Sequence, residues 1–193
     1  MPLVLPAVQS LLLANLAGNT IFGVSSPLLA TAVATGFVTY AQTSLIATSV
    51  DVGTAGIGAG VAPVISLPSA QIIGPMIAAL TAAGVNGPSK PQLANAISQT
   101  LSASLLTAQI VTVNTGVGVG TGKATLVPNS AVSVPLMIAA FTGSLLIGTA
   151  SVRLATGIAQ GIDAVLPSAT AVLAIAGPPS PIPSSGVGVG KVL

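Results

Sequence analysis

The constraint that shapes every other reading of this chain is that it carries one pattern three times. Leu28-Leu29-Ala30-Thr31-Ala32-Val33-Ala34 lines up with Gln92-Leu93-Ala94-Asn95-Ala96-Ile97-Ser98 and with Arg153-Leu154-Ala155-Thr156-Gly157-Ile158-Ala159, at spacings of 64 and 61 residues. Leu5-Pro6-Ala7-Val8-Gln9 recurs as Leu67-Pro68-Ser69-Ala70-Gln71, and Met76-Ile77-Ala78-Ala79-Leu80 as Met137-Ile138-Ala139-Ala140-Phe141. A glycine-alternating run closes each unit, from Gly53 to Gly60, Gly116 to Lys123 and Gly186 to Lys191. Windows that recur in one order at nearly one spacing indicate triplication. The units are 1–65, 66–126 and 127–193. A unit of about 60 residues buries only a modest share of its surface alone, so the three are expected to form one compact body.

Within a unit the apolar spacing predicts two helices. Val8, Leu11, Leu12 and Leu16 mark a short first helix that stops near Gly18-Asn19. Ser25-Ser26-Pro27 then supplies a cap and a first-turn proline for a second helix, from Leu28 to about Thr43. The second unit repeats this order with Ala70 to Ala83, a turn at Gly84 to Pro88, and a helix from Pro91 to about Thr107. Leu93, Ile97, Leu101 and Leu105 form a ridge on that helix. The third unit has Leu136 to Leu146 and Ser151 to Val165. Leu45 to Val52 and Gln109 to Asn114 are rich in β-formers and, with Ala169 to Ala176 of the third unit, predict one strand ahead of each glycine run. The proline-rich tail from Gly177 is expected to be extended. The fold class expected is α+β: three tandem repeats, each two helices, a strand and a glycine-alternating segment, around a pseudo-threefold axis.

The glycine runs do not match phosphate-binding loops. A P-loop ending at Gly122-Lys123 requires Gly at 117 and Ser or Thr at 124, where the chain has Val117 and Ala124. A dinucleotide fingerprint from Gly116 and Gly118 requires Gly at 121, which is Thr121. Glycine at every second place instead strips one face of an extended strand, so that another backbone or flat surface can approach. Gly116, Gly118, Gly120, Gly122, Gly186, Gly188 and Gly190 are therefore the candidate interaction residues. A flexible linker is the blander reading, and the valines between the glycines favour strand.

Most residue types that carry catalysis are missing. There is no His, Cys, Glu or Trp, which removes imidazole and thiolate metal sites and the usual nucleophile–base pairs. Asp51 and Asp163 are the only carboxylates, and they fall at different points of their units. No enzyme activity, cofactor or metal is expected. A pI near 9.5 arises from four cations against two anions, with no basic cluster and few aromatic residues, so no nucleic-acid partner is expected. Lys123 and Lys191 close two glycine runs in matching places, as surface charges that discourage edge pairing.

With 52% hydrophobic and 3% charged residues, such a chain is expected to be buried among neighbours or placed in lipid. Its opening Met1-Pro2-Leu3-Val4-Leu5-Pro6-Ala7, its Ala/Thr-rich helices and its GVGVG runs resemble the small, charge-poor structural proteins of contractile-tailed bacteriophages. The resemblance implies a virion location, in the tail or baseplate, with other virion subunits as partners and no functional residues to carry over. Three similar units suit a homo-oligomer on a threefold or sixfold axis. The alternative is a tail-tip protein that enters the host membrane during infection, or an integral membrane protein. Against the latter, charge-free runs such as Ala124 to Val152 are interrupted by Pro128, Asn129 and Pro135.

Overall fold

The computed structural model describes residues 4–44, 46–54, 56–65, 69–107, 109–116, 119–168, 170–176 and 184–192, with side chains over 4–42, 69–103 and 128–167. Six helices form in pairs: α1 (Leu5–Gly18) with α2 (Ser25–Ser44), α3 (Ser69–Ala82) with α4 (Lys90–Thr107), and α5 (Ser130–Gly143) with α6 (Thr149–Val165). The first helix of every pair has 14 residues. α1 opens on Pro6, which sets a helical φ where the missing N–H has no intrahelical acceptor anyway.

Each helix packs on the next, and α6 packs back on α1, so the helices make a closed ring. Corresponding positions fill its core. Leu12, Met76 and Met137 are buried one turn before Leu16, Leu80 and Phe141 on the first helices, while Val33, Ile97 and Ile158 precede Phe37, Leu101 and Ile162 on the second. Full burial of such a side chain contributes about 1.5–3 kcal/mol. Of the expected ridge on α4, Ile97 and Leu101 are buried and Leu93 packs against the core.

The fold class expected from the sequence is corrected by this body. Over the residues with described side chains the structure is 82% helical and contains no strand, so the packed unit is helix on helix and not α+β. Among the described side chains the buried ones lie on helical ridges, at the 3.6-residue period. Between the helix pairs the backbone forms two-strand ladders where one strand and a glycine-alternating segment were expected. These are β1 (Ile46–Thr54) with β2 (Gly56–Ile65), β3 (Gln109–Gly116) with β4 (Val119–Val127), and β5 (Thr170–Ala176) with β6 (Ser184–Val192). β2 also pairs β3, β4 pairs β5, and β6 pairs β1, all antiparallel, which closes the ladders into a ring.

Helices of neighbouring units meet at close range because small residues line the crossings. A Cβ added at Gly161 of α6 would lie 2.6 Å from Leu12 Cδ2 and 3.1 Å from Leu12 Cα, and one at Gly157 would lie 3.2 Å from Leu16 Cα. At the α2–α3 crossing, a Cβ on Gly36 would lie 2.7 Å from Met76 Cε. Gly36 and Gly161 are corresponding residues of their units, and so are Met76 and Leu12. Gly161→Val is expected to lower stability by about 2–3 kcal/mol through overpacking. Gly18→Ala, whose added Cβ meets nothing within 4 Å, should leave stability within about 0.5 kcal/mol or raise it. Urea unfolding of the two variants is the check.

Candidate functional site

The three helix-to-helix loops lie at one end of the ring and share one construction. Thr20, Gly84 and Leu145 each take a left-handed backbone, with φ of 61°, 77° and 61°. The N–H of the following residue turns back to a carbonyl of the helix just ended: Ile21 to Leu16 at 3.0 Å, Val85 to Leu80 at 2.9 Å and Leu146 to Phe141 at 2.9 Å. This is the bonding of a Schellman cap, and Ile21, Val85 and Leu146 pack against the core as such caps require. Gly23, Gly87 and Gly148, with φ of 127°, 149° and 140°, then let the chain enter the second helix. These positions are again 64 and 61 residues apart, the spacing found between the helix windows.

What differs between the loops is the residues at their tips. Phe22 and Val24 in the first loop are 73% and 91% exposed, and Leu145 and Ile147 in the third are 80% and 75% exposed. The second loop carries Asn86 and Pro88 where the first has Phe22 and Val24. Beside the third tip lies a cleft of about 590 Å³ lined by Leu145 and Ile147, by apolar Val85, Leu93 and Phe141, and by polar Asn86, Ser89 and Lys90. Lys90 Nζ donates to Thr81 Oγ1 at 2.8 Å, and Arg153 Nη1 donates to Thr20 Oγ1 at 3.0 Å, which places both cations at this end. Phe22 and Val24 of the first loop are exposed and are not among the residues that line the cleft.

The glycines proposed as interaction residues sit in the ladders. Gly116 of β3 pairs with Gly56. Gly120 and Gly122 of β4 pair with Ile175 and Leu173 of β5. Gly186, Gly188 and Gly190 of β6 pair with Asp51, Ser49 and Ala47 of β1. Cross-strand partners share a face, so this register gathers these glycines, with Gly56, Gly58 and Gly60, on one face of the ladder. Gly118 lies outside the described residues. Lys123 and Lys191 both stand opposite Val172, on the other face.

Asp163 is buried in α6, where its Oδ2 accepts a short hydrogen bond from the Ser133 hydroxyl of α5. Its Oδ1 has no partner among the described residues. Burial raises its pKa above the usual carboxylate value, and the hydroxyls of Ser133 and Ser130 offset part of that rise. Asp51, the other carboxylate of the chain, lies in β1 opposite Gly60 and Gly186. The two carboxylates belong to different layers, and Asp163 has the surroundings of a structural group.

Sequence reading missed the loop tips, although a signal was present. Ile21-Phe22-Gly23-Val24 and Leu145-Leu146-Ile147 are apolar where turns are ordinarily polar. Among the described residues there is no group of three acidic residues that could hold a metal, and no helix long and apolar enough to cross a membrane. No family model, curated protein or solved structure matches the chain.

Two outcomes are expected from these features. A left-handed non-glycine residue is strained by about 1–2 kcal/mol. Gly84→Leu should therefore lower stability by about 1 kcal/mol, and Leu145→Gly should raise it by a similar amount, measured by thermal unfolding. For Asp163, a folded pKa raised above the unfolded value means the native state binds the extra proton. Its penalty is absent below the unfolded pKa and grows as pH rises to the folded one. Asp163→Asn should remove this slope and make the protein more stable than wild type at neutral pH, in urea melts taken across the acidic range.

Proposed function

We propose that this chain is a non-enzymatic structural component of a bacteriophage particle, in its tail or baseplate, held among other subunits. The observation that carries the reading is the rim of Phe22, Val24, Leu145 and Ile147, left in the open although the ring beneath it has a well-filled core. Leu145 in particular holds a strained backbone that Gly84 adopts freely in the neighbouring unit. A large apolar side chain exposed at such a position is accounted for by a contact outside the chain. The chemistry of the sequence agrees: two aspartates, of which Asp163 is buried, and no histidine or cysteine leave little for a reaction to use. Three similar helix pairs in a closed ring also fit a place on a threefold or sixfold axis of a larger assembly.

Density-gradient fractionation of native source material, followed by carbonate extraction, tests the proposal. The chain is expected at a fixed ratio to the other proteins of large particles, and to stay with them after extraction. Recovery in the floating membrane fraction after carbonate would overturn it.

A further inference from the structure

The rim at the loop end has a chemistry that selects one kind of partner, and we infer that it docks on the surface of an anionic lipid bilayer. This rests on the proposed function only in taking the rim as a contact surface, and it names lipid, not a neighbouring subunit, as what meets that surface. Phe22, Val24, Leu145 and Ile147 project from two loop tips with most of their surface free. A rigid protein partner would need a matching hole for each tip, whereas the boundary between headgroups and acyl chains accepts any protruding apolar shape. The charges beside the tips are of one sign. Lys90 and Arg153 are held next to the loops by Thr81 and Thr20. The one acidic residue with a described side chain, Asp163, is buried. Cations flanking apolar tips are drawn to an anionic leaflet, and an Arg near such a surface keeps its charge in the headgroups while its stem lies along apolar material. A second copy of the chain meeting this one loop end to loop end would bring like charges together, which opposes self-docking.

Docking of this kind is peripheral, since the tips belong to loops between helices that stay packed in the ring. The test uses the full chain, freed from other proteins, with large vesicles of phosphatidylcholine alone or with about 30% phosphatidylglycerol, scored by flotation. Binding is expected only to the anionic vesicles, and it should fall as salt rises from about 0.1 to 0.5 M. Lys90→Gln and Arg153→Gln should each weaken it about fivefold. Phe22→Ser with Leu145→Gly should weaken it at least tenfold while helix content by circular dichroism is unchanged. Absence of binding at 0.1 M salt overturns the inference, as does equal binding to neutral vesicles. So does self-association, measured by analytical ultracentrifugation, that the Phe22→Ser, Leu145→Gly pair abolishes without changing vesicle binding. Peripheral binding of this kind is released by carbonate, so its failure is separate from a failure of the particle assignment.

Discussion

The close crossings between units are what the rest of the structure depends on. A ring of six helices closes only if α6 can reach α1, and it does so where Gly157 and Gly161 let the backbone of Leu12 and Leu16 approach to van der Waals range. Gly36 does the same against Met76 at the neighbouring crossing. Ala96 and Thr100 occupy the corresponding places of α4, and Thr100 turns its hydroxyl to the Ala96 carbonyl at 2.9 Å, so its polar atom is satisfied within its own helix. Small residues on one helix and large apolar ones on the next form a complementary pair used around the ring. The alanine-rich composition of the second helices follows from this need. Ala30, Ala32, Ala34, Ala94, Ala155 and Ala159 are buried where bulkier residues would push the ring open.

At the loop end the same backbone is used with different side chains. One Schellman-type return bond fixes each loop, while the residue in the left-handed position is Thr, Gly or Leu. The bond needs only a backbone N–H and a carbonyl, so the construction tolerates that variety at a cost of about 1–2 kcal/mol where the residue is not glycine. Three loops of one shape can thus carry three surfaces. Two of them are apolar and one is polar, which makes the end of the ring asymmetric although its frame repeats.

Much of the helical ring was legible because its signal is periodic. Leu93, Ile97 and Leu101 recur every fourth residue, and two of them are in the core. The recurrence of the windows at 64 and 61 residues gave the order of the elements, since corresponding residues make corresponding bonds. The expected α+β unit failed for a physical reason. Period-two alternation in the Gln109 segment says that a strand forms, but not that it pairs with β2 on one side and β4 on the other. The glycine runs were read as extended segments open to close approach, whereas pairing on both sides, as for Gly122 with Asn114 and Leu173, is a tertiary property invisible in the run itself. The burial of Asp163 was equally hidden. Its neighbour Ser133 lies 30 positions away, and no local pattern announces that a carboxylate will meet a hydroxyl across a helix pair.

Closure of the ring by its last helix sets an order for how the chain acquires its shape. Leu12 and Leu16 leave the ribosome early, yet the glycines that receive them on α6 are made almost at the end of synthesis. At roughly 5–20 residues per second, that face of α1 has several seconds without its final neighbour. The intermediate units have a provisional solution, because α2 and α4 present corresponding small residues to the first helix of the next unit. A nascent chain could therefore place α1 against the wrong second helix, and its own repetition would be the source of that error.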